Sequence, residues 1–62
     1  MKVYIVEKDC YERKFIEGVY ASPEIAMQHN PLGKWVFQDG SWDNGLDWDN
    51  ACSIFEYDVI EN

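Results

Sequence analysis

The chain reads as an α+β domain, an antiparallel sheet of about four strands with one short helix packed on one face, in the order ββαββ. Three observations predict it. Two runs rich in β-branched and aromatic residues, 3–7 and 15–20, open the chain in hairpin sequence. A Ser22-Pro23-Glu24 start then begins a helix that Pro31 and Gly33 stop after about two turns. Two further apolar runs, 35–38 and 54–60, follow, with the turn dipeptides Asp39-Gly40 and Asn44-Gly45 between them.

Each element has a local reason. In residues 3–7, Val3 and Ile5 face one side and Tyr4 and Val6 the other, so this strand is expected to be covered on both faces. Residues 8–14 are charged and hold no glycine for a tight two-residue turn, which predicts a strand end, a longer loop and the start of a second strand. At the helix start the Ser22 hydroxyl can accept an orphan amide, Pro23 suits the first helical position, and Glu24 favours the positive end of the dipole. Ile25, Ala26 and Met27 are too few for independent stability, so the helix must lie on the sheet. Residues 41–43 and 46–50 fit either a short hairpin or an ordered loop, and 54–60 alternate as a last strand.

The chain has 62 residues, 47% hydrophobic and 16% aromatic. That supports one domain, residues 1–62, with a real but small core, because a chain of this length buries only roughly 60% of its unfolded surface. A large enclosed active site is excluded on size. The apolar run at the N-terminus is far shorter than a signal-peptide core or a membrane span, which predicts a soluble, cytoplasmic protein. Cys10 and Cys52 lack metal-ligand spacing and read as reduced thiols; a bridge between them would require neighbouring strands.

Charge is the most informative feature. Residues 1–34 carry five acids and five bases, whereas residues 35–62 carry Asp39, Asp43, Asp47, Asp49, Glu56, Asp58, Glu61 and no base. The whole net charge of -7 therefore belongs to the second part. A field of one sign attracts a basic partner and disfavours direct binding to nucleic acid or an anionic membrane.

Residues 2–6, Gly18-Val19-Tyr20-Ala21-Ser22-Pro23-Glu24-Ile25-Ala26 and residues 55–59 together resemble small ββαββ proteins of phages and prophages. In size and style the chain is also similar to phage anti-defence inhibitors, such as the inhibitor of the Hachiman system. The resemblance implies action by binding a host component rather than by catalysis.

The residues that would carry such binding are Trp42 and Trp48, set among Asp39, Asp43, Asp47 and Asp49. Tryptophan buries much area with few rotors, and the surrounding carboxylates can steer or pair with Arg and Lys. For Trp42 and Trp48 a core position and a contact position are both open; Trp35, on a strand, reads as core. Asp39, Ser41, Asp43 and Asp47 fall in a calcium-loop register, which fails because Asn44 replaces the turn glycine and Asn50 the bidentate glutamate, so no metal site is expected. His29 is the only histidine and reads as a polar residue of the last helical turn, no phosphate-cradling glycine motif is present, and neither an enzyme nor a cofactor is expected. The aromatic content predicts a homodimer whose face includes Tyr4, Val6, Ile16 and Tyr20.

The leading expectation is thus a non-enzymatic acidic protein that inhibits a host protein with a basic surface, nucleic-acid mimicry being one form. The alternatives are a dimeric binder of a small ligand or signalling nucleotide, and a structural accessory protein of the phage.

Overall fold

A computed structural model describes residues 1–10 and 12–60. Strands β1 (Lys2–Cys10) and β2 (Arg13–Tyr20) form an antiparallel hairpin, followed by helix α1 (Pro23–His29). Strands β3 (Val36–Gln38) and β4 (Ser41–Asp43), a 3₁₀ turn (Trp48–Asn50) and strand β5 (Cys52–Asp58) complete the chain. The sheet runs β2-β1-β5-β4-β3 with antiparallel neighbours throughout.

The α+β class is as expected, with two corrections. The sheet has five strands rather than about four, so the order is ββαβββ rather than ββαββ. The extra strand, β4, is three residues long, too short for periodicity to reveal; its hairpin partner is set by Asp39-Gly40, where φ is 53° and 85°. Two consecutive positive φ values match the twist of a two-residue hairpin, and they bring Phe37 opposite Trp42. The first hairpin is also tighter than expected, since β1 and β2 stay paired to Cys10 and Arg13, leaving positions 11 and 12 between them. Asp9 lies opposite Lys14, and this pair of opposite charge supports the ladder where a loop had been expected. Tyr11 and the C-terminal residues Glu61 and Asn62 lie outside the described residues.

Helix α1 starts as its sequence requires: the Ser22 Oγ accepts from the Ile25 amide at 3.2 Å and Pro23 opens the first turn. Asn30 closes it, its Nδ2 donating to the Ala26 carbonyl at 2.8 Å. The Trp35 indole then donates to the Asn30 carbonyl at 2.9 Å, which ties the segment after the helix to its end. α1 packs on β1 and β2, and Val6, Ala26 and Ile54 are fully buried there. Tyr4, Tyr20, Met27, Trp35, Trp42 and Cys52 surround these three, so Trp35 sits against the core as its strand-like run implied.

One polar side chain is as buried as the core. Asn44, 1% exposed, donates from Nδ2 to the Asn50 carbonyl at 2.9 Å, and its Oδ1 accepts from the Leu46 amide at 3.2 Å and the Cys52 amide at 3.0 Å. Its backbone pairs with Lys34 and Cys52. Gly33, at φ 82°, runs so close beneath that a Cβ there would collide with the Asn44 carbonyl. Asn44 is therefore a buried clamp, and the exposed Gly45 beside it, at φ 75°, bends the chain without closing a hairpin.

An Asn44→Ala variant leaves two amides and a carbonyl unpartnered, at a cost of about 3 kcal/mol. Total stability for a chain of this size is on the order of 5 kcal/mol. Its thermal midpoint, followed by circular dichroism, is expected to fall by more than about 10 °C; an unchanged midpoint would show that the clamp carries no stability.

Candidate functional site

The helix side of the sheet is only partly covered. α1 lies over β1 and β2, which leaves an aromatic shelf on β3 and β4 that reaches across β5 to Tyr4 of β1. Trp42 is its centre, with Tyr4 edge-on at 5.9 Å between ring centroids and Phe37 at 4.7 Å. Phe37 stands well out of the surface, and with Gly40, Trp42 and Glu56 it lines an open groove of about 600 Å³.

Glu56 marks the rim of this groove. It accepts from Lys2 Nζ at 2.8 Å and from the Tyr4 hydroxyl at 3.0 Å, while Lys2 also lies 3.7 Å from Asp58. The hydrogen bond from Lys2, then that from Tyr4, holds the Glu56 carboxyl below its ordinary range. The bond to Glu56 and the charge of Asp58 push Lys2 up, and the bond to Glu56, then burial, pushes Tyr4 up. All three groups are solvent-facing, so the network orients side chains more than it stabilises the fold.

Trp48 occupies a different place. It begins the 3₁₀ turn at φ 60° and is 79% exposed, with Asp47 and Asp49 on either side. A bulky residue rarely adopts that backbone, which costs on the order of 1 kcal/mol and is held here by the surrounding bonds. Those bonds are visible: the Ala51 amide closes the turn onto the Trp48 carbonyl at 3.1 Å, and the Ala51 carbonyl accepts from the Asp9 amide at 3.0 Å. Asp47 makes no capping hydrogen bond. Burial, and after it the charge of Asp49, pushes the Cys10 thiol up.

The six residues expected as one interaction face therefore lie in separate places. Trp42 lines the helix-side groove, Asp39 forms the β3–β4 turn above it, and Trp48 with Asp49 sits at the end of β1. Asp43 pairs with Ser53 on the opposite face, where its Oδ1 accepts from the Gly45 amide at 2.7 Å and it shares a shallow pocket with Asp47. Of the two tryptophans left open, Trp42 is half-buried and Trp48 is outside. Phe37 and Glu56 were missed: Phe37 was within reach of the Asp39-Gly40 turn, which sets it opposite Trp42, whereas Glu56 needs the β1–β5 register, which no local signal carries.

The four residues expected to form one dimer face do not share a face. Val6 is fully buried among the residues packed with α1, and Tyr4 and Tyr20 lie on that same side, while Ile16 points the other way. The cause is a bulge at Glu17, where β1 passes from Val6 to Glu7 while β2 passes from Gly18 to Ile16. One extra residue reverses the side on which every residue before it lies.

Cys10 and Cys52 are both free thiols, and burial is the leading cause that pushes each up, so neither is activated as a nucleophile. His29 stacks on Tyr20 with centroids 5.4 Å apart. Among the described residues no three His, Cys, Asp or Glu side chains are placed to hold one metal ion, and no helix is long and apolar enough to cross a membrane.

Because the Glu56 carboxyl is lowered, its bonds to Lys2 and Tyr4 are present above the ordinary glutamate value of 4.5 and are lost as the pH falls below it. Lys2→Met is expected to lower stability slightly at neutral pH and to flatten the acid limb, the variant and parent curves converging as the pH falls below that value; parallel acid limbs for variant and parent would remove the network. Compared with known family models, curated proteins and solved structures, the chain matches none, so the functional reading rests on its own residues.

Proposed function

We propose that the chain is a non-enzymatic binding module that engages a basic surface of a host protein, with Trp48 as its anchor. The observation that carries this reading is an indole 79% exposed, fixed in a costly backbone conformation between Asp47 and Asp49. An indole face takes a guanidinium or ammonium group by cation–π attraction, worth about 0.5–2 kcal/mol, and flanking carboxylates add pairing partners. The charge of residues 35–62 steers such a partner to this part of the molecule.

The groove of Phe37, Gly40 and Trp42 is a second contact of the same kind, with Glu56 at its rim facing a basic group. That rim also weighs against a nucleotide ligand, whose phosphates it would repel although the aromatic rings suit a base. In its inhibitory form the module blocks the action of that host protein, and nucleic-acid mimicry is its version for a target that itself binds DNA or RNA. Raised thiols and open, shallow grooves favour binding over catalysis.

In affinity capture from nuclease-treated bacterial lysate, the parent chain is expected to retain a basic protein. Trp48→Ala is expected to weaken that complex about 30-fold, as for a hot-spot residue, and a combined Asp43, Asp47 and Asp49 to Asn variant to lower its association rate and salt dependence. Equal retention by parent and variants would remove this surface as the site.

A further inference from the structure

The face of the sheet that α1 leaves bare is apolar. Val3 and Ile5 of β1, Ile16 and Val19 of β2, and Phe55 and Tyr57 of β5 all point there. Ile5 lies opposite both Val19 and Phe55, and Val3 opposite Tyr57, so the patch is continuous across three strands. Ile16, Val19 and Tyr57 are 67%, 57% and 46% exposed. A sheet buries an apolar face against another layer, and a contiguous exposed patch marks a contact surface.

We propose that a second copy of this chain covers this face, sheet stacked on sheet about a two-fold axis, with the two α1 layers outside. Charge selects that occupant. None of the six patch residues is charged, whereas the carboxylates that suit a basic partner lie elsewhere, at Asp47, Asp49 and Glu56. On this face the charged groups gather at one end: Glu7 and Asp43 beside Ser53, and Asp9 beside Lys14. Stacking two copies with strands reversed overlays the apolar ends and sends the two acidic ends apart, which meets the self-complementarity an isologous interface needs.

The patch lies on the three long strands β2, β1 and β5, seven to nine residues each, and measures about 14 by 24 Å, which suits an interface at the small end of the range rather than an obligate one. The free edge of β2 is the less suitable route to a dimer, because the bulge at Glu17 and the charges of Arg13 and Lys14 blunt it.

The test is sedimentation velocity of the full chain at micromolar concentration, where a species of twice 7.3 kDa is expected. Ile16→Lys with Val19→Lys is expected to raise the dimer dissociation constant at least about a hundredfold while the far-UV spectrum keeps its sheet signature. Val19→Thr, which preserves strand preference, is a milder second variant and should weaken the dimer about tenfold. Raising salt from about 50 to about 500 mM is expected to strengthen the dimer by screening two like-charged copies, the opposite of its effect on a basic partner. Trp48→Ala is expected to leave the dimer intact, so the two proposals fail separately. A chain that stays at 7.3 kDa in high salt, or a dimer that survives the Val19 and Ile16 changes or weakens with salt, would overturn the assignment.

Discussion

Asn44 holds together the segment from Gly33 to Cys52, which meets the hydrophobic core only at its edge, through Trp35, Trp42 and Cys52. Among the described residues only Val6, Ala26 and Ile54 are fully buried apolar side chains, one each from β1, α1 and β5. The segment from Gly33 to Cys52 contributes short strands and a loop that burial alone would leave loosely fixed. There a single amide reaches Asn50, Leu46 and Cys52 while its backbone holds Lys34 and Cys52. Burying that polar group is favourable because each of its polar atoms has a partner, and the same pairing makes any substitution costly. The close passage of Gly33 beneath it belongs to the same constraint, since no side chain fits there.

The exposed tryptophan depends on that clamp. Trp48 lies between Asn44 and Cys52 in sequence, so both ends of its loop are tied to the buried amide, and Ala51 is pinned to β1 through Asp9. A loop fixed at both ends can keep a bulky residue at positive φ, and a side chain already held in place loses less freedom when a partner arrives. Stability and the recognition proposed for Trp48 thus rest on one group of hydrogen bonds.

What was legible in the sequence is what local chemistry decides. The Ser22 cap, Pro23 at the first helical position and the Asp39-Gly40 turn each depend on one or two neighbouring residues, and each was read directly. The β4 strand was not, because three residues hold no period, and Asn44-Gly45 resembled a turn because its partners, Asn50 and Cys52, are defined only after folding. Pleat assignment failed at one point for a similar reason. Ile16, Gly18 and Tyr20 share a side in strict alternation, and the bulge at Glu17 breaks it, moving Ile16 to the bare face. At the candidate site, exposure separated Trp48 from Trp42, a distinction of tertiary packing that composition does not carry.

The bulge also adds to the apolar residues on the side of β1 away from the helix. With it, Val6 and Tyr4 meet the helix while Ile5 and Val3 join Ile16, Val19, Phe55 and Tyr57 opposite, and one seven-residue helix can cover only one of those faces. A second copy on the other face would place two Trp48 anchors on one particle, each beside its own Asp47 and Asp49. Engagement of two sites on one target, or of two targets, would then raise apparent affinity through effective concentration without any new contact. The carboxylates proposed to meet a basic partner, Asp47, Asp49 and Glu56, are not those at the acidic end of the bare face, Glu7 and Asp43, so the two proposed associations use separate groups.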